Sequence, residues 1–147
     1  MKRLIGVLLG VLFIVGVAWG AATMTQSYTD LGNVTRCSLT WTAHTTGAVA
    51  GLSTRQDITG WILRVETDPA ASTPQPDDGY TLVINNADGL NIMGQTLTCD
   101  ETNNETWMPL VNGNYTVYYN EGPLTPVIAS AGSGKQGTID IYYIQDK

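Results

Sequence analysis

Along most of the chain, apolar and polar residues trade places at every second position. The clearest run is Thr35 to Ala43. There Cys37, Leu39, Trp41 and Ala43 fall on one side, and Arg36, Ser38, Thr40 and Thr42 on the other. A period of two with threonines on the wet side predicts a half-buried β-strand, because successive side chains of a strand leave opposite faces. Ile58 to Glu66 predicts a second strand. Trp61, Leu63 and Val65 share one face; the other starts apolar at Ile58 and Ile62 and ends in Arg64 and Glu66. On this spacing Trp41 and Trp61 both belong to the core. Tyr80 to Ile84 predicts a third strand, aligning Tyr80, Leu82 and Ile84. Asn86-Ala87-Asp88-Gly89 predicts a hairpin turn, with an extended run resuming from Leu90 to Met93.

The later chain continues in the same way. Tyr115 to Tyr119 is β-prone and aromatic. Pro123 to Ala131 carries two prolines, which restrict any strand there to an edge or a short length. Gly132 to Gly137 predicts a loop, and Thr138 to Ile144 a closing strand with Ile139, Ile141 and Tyr143 inward. Asp68 to Asp78, with three prolines, and the acidic, Asn-rich Asp100 to Thr106 predict surface loops. No window past Thr23 has the i, i+3, i+4, i+7 spacing of an amphipathic helix. The expected body is a single all-β domain over residues 23–147, an antiparallel β-sandwich or jelly-roll-like fold.

The start of the chain is different. Lys2 and Arg3 precede an uncharged apolar stretch from Leu4 to Ala22. This predicts an N-terminal hydrophobic helix over residues 1–22. Its basic start, internal glycines and small residues near Ala18 to Ala22 fit a cleaved signal peptide. Its length also fits an uncleaved membrane anchor. Both readings place the body outside the cytoplasm, whereas a second start at Met24 would give a cytosolic chain.

Charge and residue counts narrow the functions. The chain has 7 Lys and Arg against 13 Asp and Glu, a net charge of −6. Without residues 1–22 the balance is 5 against 13, or −8. Phosphate backbones call for clustered cations, so nucleic acid is not an expected partner. A single His and two Cys leave little material for most catalytic or metal sites. His44 ends the first strong strand, with Ser53 and Asp57 near it in sequence but no nucleophile elbow. Asp77, Asp78 and Asp88 lack the alternating acids of a calcium loop, and turn chemistry accounts for Asp88-Gly89. No catalytic residue, cofactor or metal is expected.

Cys37 and Cys99 admit two readings. In an oxidising compartment a disulfide between them would contribute about 4 kcal/mol through loop entropy. Otherwise they are buried free thiols acting as small hydrophobes. Trp107, Tyr118 and Tyr142 are the expected exposed contact surface. Asn-X-Thr triplets stand at Asn33, Asn104 and Asn114, and matter only in a host that glycosylates them.

The segments Trp61-Ile62-Leu63-Arg64-Val65-Glu66-Thr67-Asp68-Pro69, Pro76-Asp77-Asp78-Gly79-Tyr80-Thr81-Leu82-Val83-Ile84 and Asp88-Gly89-Leu90-Asn91-Ile92-Met93-Gly94 follow one another in order. Gly122-Pro123-Leu124-Thr125-Pro126, Ala131-Gly132 and Lys135-Gln136-Gly137-Thr138-Ile139-Asp140-Ile141-Tyr142 complete the series. This order resembles small β-rich structural proteins encoded among the head and tail genes of tailed bacteriophages. The likeness runs over about residues 35 to 144 and rests on turn and strand residues, so no active site is carried over. It implies a non-enzymatic virion component: a decoration, fibre or tail-associated module in many copies. The implied partners are other virion or surface proteins and further copies of the chain. Strand edges near Pro123 to Ala131 and the aromatic face around Tyr142 would carry the contacts. An export signal and a Cys pair depart from a particle assembled in the cytoplasm. They keep a second expectation in view, a secreted or cell-surface module that binds a glycan or polymer. Membrane contact, on either reading, is confined to residues 1–22.

Overall fold

The structure, a computed structural model, describes residues 20–69 and 74–146. The hydrophobic helix expected before Thr23 lies outside these residues, apart from Gly20 to Ala22, which belong to no regular element.

All regular elements among the described residues are strands. They are β1 (Thr23–Asp30), β2 (Thr35–Thr42), β3 (Gly60–Pro69), β4 (Tyr80–Asn85), β5 (Leu97–Cys99), β6 (Glu105–Trp107), β7 (Leu110–Val111), β8 (Asn114–Tyr115), β9 (Tyr118–Asn120), β10 (Thr125–Ala129) and β11 (Gln136–Gln145). All pairings are antiparallel. A six-stranded sheet runs β1-β2-β11-β3-β6, with β9 sharing the outer side of β3. A three-stranded sheet runs β10-β4-β5, and β7 and β8 form a separate hairpin.

The registers stack the inward residues into rows. Gln26, Leu39, Ile139 and Thr67 form one row across the large sheet; Tyr28, Cys37, Ile141 and Val65 form the next. The small sheet answers with Tyr80, Leu82, Ile84, Leu97, Cys99 and Ile128, all buried in the same core cluster. Trp41 and Tyr80 join the sheets, with ring centroids 5.7 Å apart and planes tilted by 51°. The arrangement is sandwich-like: two antiparallel sheets share one apolar interior.

Where the expected strands and the structure differ, backbone or side-chain chemistry explains it. On β3, Tyr142 of β11 faces Arg64, but Tyr143 faces Ile62. Leu63 is therefore an extra residue, a β-bulge, and the inward parity changes across it. Ile62 and Val65 are both buried, and Trp61 is thrown to the outside at 47% exposure. The Leu90–Met93 run is not a strand. Asn91 makes one bridge with Asn85; its side chain then accepts from Met93 N at 3.0 Å and donates to Gln95 O at 2.8 Å. These local bonds turn the chain instead of extending the ladder. Tyr115–Tyr119 is divided between β8 and β9. β6 rises within and just beyond the acidic segment expected to be a loop.

Candidate interaction surface

The outer face of the large sheet carries the most distinctive chemistry. Ile144, Trp61 and Tyr119 are aligned across β11, β3 and β9. They are 41%, 47% and 39% exposed, so three large side chains on adjacent strands stand in solvent together. The Trp61 and Tyr119 rings meet edge to face at 5.1 Å and 66°, a favourable quadrupole geometry. Tyr119 donates its hydroxyl to Asp146 Oδ2 at 3.0 Å, and that bond raises its pKa. The Leu63 bulge builds this row, because it sends Trp61 outward without exposing Ile62 or Val65.

Beside the row, β11 and β3 are laced by polar contacts. The Arg64 guanidinium sits 4.2 Å over the Tyr142 ring. Arg64 Nε also pairs with Glu66 Oε1 at 2.8 Å, and Tyr142 donates to Glu66 Oε2 at 2.9 Å. Arg36 and Asp140 extend the lattice at 3.8 Å. Arg64 is exposed and Glu66 half-buried, so solvent screens the pair, which contributes little stability and mainly fixes side-chain directions.

Of the expected contact residues, Tyr142 lies on this face but is half-buried, with its hydroxyl already committed. Tyr118 and Trp107 are half-buried on the inward side and pack against the core. Trp107 also lines a groove of about 270 Å³ with Thr106, Met108 and Tyr115. Trp61, assigned to the core by its spacing, is instead the centre of the exposed row. The sequence signal that could have placed it was the double apolar pattern of Ile58–Glu66, which fits a strand with a parity change.

The remaining candidates do not assemble into a reactive centre. His44 Nδ1 lies 3.2 Å from the Thr46 backbone N–H and 3.2 Å from the Thr45 hydroxyl, so it serves its own turn. The Ser53 hydroxyl lies 2.7 Å from that of Thr125. Asp77 pairs loosely with Lys135 at 3.6 Å, and Asp88 sits in a turn closed by the Asn86 side chain. Among the described residues no three His, Cys, Asp or Glu side chains gather as metal ligands. An open groove of about 580 Å³ near the β1–β2 turn contains Asp30 and Asp146 but no nucleophile–base pair.

Cys37 and Cys99, considered as a disulfide, are both free thiols in the structure, one on each sheet, and both are buried. Burial pushes Cys37 up to about 11 and Cys99 up to about 12. Asp100 Oδ1 accepts from the N–H groups of Thr102 and Asn103 at 2.7 and 2.8 Å, which draws its pKa down to about 2. That cluster is an Asx turn linking β5 to β6.

No family model matches this chain, and comparison with curated proteins and with solved structures found no match.

Proposed function

We propose that the chain is a non-enzymatic structural module of a virion, a decoration or tail-associated component that acts through protein–protein contact. On this reading the sheets are the layers of a jelly-roll-like sandwich, and residues 1–22 direct or tether it to an exported or particle-bound location. The observation that carries the proposal is the Ile144–Trp61–Tyr119 row. Clustered exposed aromatics supply large contact area at low entropic cost and commonly form the energetic centre of an interface. The order of turn and strand motifs, which resembles that of small phage head and tail proteins, favours the same partner class.

A glycan-binding surface module is the second reading, and the exposed rings are what favour it. The 66° angle between Trp61 and Tyr119 argues for the first, since both rings cannot lie flat beneath one sugar. The test is binding of the purified protein to particles from the lineage that encodes it. Trp61→Ala and Tyr119→Ala are expected to weaken particle binding at least about tenfold, the effect of losing interface anchors. Undiminished binding by both variants, or strong glycan-array signals lost with Trp61→Ala, would overturn the virion reading.

A further inference from the structure

The free sheet edges are protected unequally. β5, β6 and β9 are each 3 residues long. β10 contains Pro126, and Val49 engages it through paired backbone bonds with Ile128 of 3.0 and 2.9 Å. Short strands, proline and covering segments are the usual defences of an edge. Among the described residues β1 has none of them. It is 8 residues long and stays in unbroken register with β2 from Thr23↔Thr42 to Asp30↔Thr35. It contains no proline, glycine or cation, and its sole charge is Asp30 at the end.

An edge strand turns the N–H and C=O of every second residue away from its neighbour. Among the described residues, no backbone–backbone bond outside the β1–β2 pairing reaches Thr23 to Asp30. The contacts to the 53–56 loop instead use side chains. Gln26 Nε2 donates to Ser53 O at 2.8 Å, and Gln56 N donates to Tyr28 Oη at 3.3 Å. They pin the inward face of β1 and leave its outer edge unoccupied by those residues.

We propose that β1 pairs with β1 of a second copy, antiparallel, about a two-fold axis normal to the sheet. This deepens the assembly reading above, and rests on it, by naming how copies meet. Under a two-fold axis such an edge is its own complement. Centred on Gln26, the pairing sets Thr25 against Ser27 and Met24 against Tyr28. Small hydroxyl side chains then face one another on the outer side. Met24 and Tyr28, already packed against the core, extend it across the junction. Asp30 falls beyond the shared ladder, so no like charges meet. One strand pair buries less than the roughly 1,000 Å² of a durable interface, so the isolated dimer is weak and concentration-dependent. Many copies on one particle would reinforce it.

Sedimentation equilibrium of the chain, as the cell delivers it, tests the pairing. Thr25 and Ser27 are exposed, so charged residues there leave the fold intact, checked by circular dichroism. The double variant Thr25→Lys/Ser27→Lys is expected to dissociate at least about tenfold more readily, and Thr25→Glu/Ser27→Glu likewise, because like charges then oppose across the ladder. Mixing the two variants is expected to restore the dimer. Wild-type protein that stays monomeric up to about 1 mM, a millimolar affinity being the practical floor, would overturn the pairing. So would variants that dimerise like wild type. A monomer that still decorates particles removes the β1 junction but leaves the assembly reading. A dimer with the charge-swap behaviour that binds no particle supports the junction and removes that reading.

Discussion

The indole of Trp41 lies over the Cα of Gly137, its partner across the β2–β11 ladder; a Cβ built there would meet Trp41 Cζ2 at 2.6 Å. Glycine at this point is a packing requirement imposed by the neighbouring ring. Gly137→Ala is expected to cost about 1–3 kcal/mol, the usual penalty for overpacking a filled core. Urea denaturation would show a lower midpoint at unchanged slope. In a Trp41→Leu background the same alanine should cost much less, because the obstructing ring is gone.

The two tryptophans predicted alike should behave differently. Trp41 is fully buried and Trp61 is 47% exposed. Trp41→Ala is expected to destabilise by about 3–5 kcal/mol. Trp61→Ala should cost about 1 kcal/mol, the scale of its edge contact with Tyr119. Equal losses in thermal or chemical denaturation would contradict the assignment of Trp61 to the outer face.

Asn120 ties β9 to the segment ahead of β3. Its side chain is 1% exposed and donates to Ile58 O at 2.6 Å and Gly122 O at 3.0 Å. Asn120→Ala leaves two carbonyls without this donor and is expected to cost about 1–3 kcal/mol. Unfolding measured for this variant should also show faster hydrogen exchange in β9, the strand that carries Tyr119.

The thiols set a pH dependence. Burial raises Cys37 to about 11 and Cys99 to about 12 from an ordinary value near 9.0. It also raises Tyr28 to about 12. A raised folded pKa means that folding favours the protonated form. The stabilisation is complete below the unfolded value near 9.0 and is lost as pH climbs toward 11. The urea midpoint is therefore expected to hold at pH 7–8 and fall between about pH 9 and 11. At pH 8 a thiol reagent should label neither cysteine in the native protein and both after unfolding. Rapid native labelling, or none after unfolding without reductant, would contradict buried free thiols.

The parts of the fold legible in the sequence are those where period two runs without interruption. β2, β4 and β11 lie where the alternation puts them, and Cys37, Leu39, Trp41, Ile139, Ile141 and Tyr143 are buried as the pattern requires. β10 is a short strand at the edge of its sheet, as the prolines of Pro123 to Ala131 dictate. What escaped was decided by single residues. The Leu63 bulge is a property of the pairing with Tyr142 and Tyr143, not of local composition. Asn91 ends its run through side-chain bonds that compete with the ladder. The exposed row draws residues from Ile144, Trp61 and Tyr119, which only the β11-β3-β9 register brings side by side. Tyr142 lies on the outward face that its alternation assigns, while Trp107 and Tyr118 turn inward because short strands carry too little alternation to fix their side.

The most direct test of the account is the copy number of this chain in purified particles from its own lineage, measured by quantitative mass spectrometry. A structural module predicts the chain in fixed multiple copies per particle, lost or reduced when Trp61 and Tyr119 are both replaced by alanine. Its absence from washed particles, with the free protein turning over a substrate or capturing a glycan, would contradict that account.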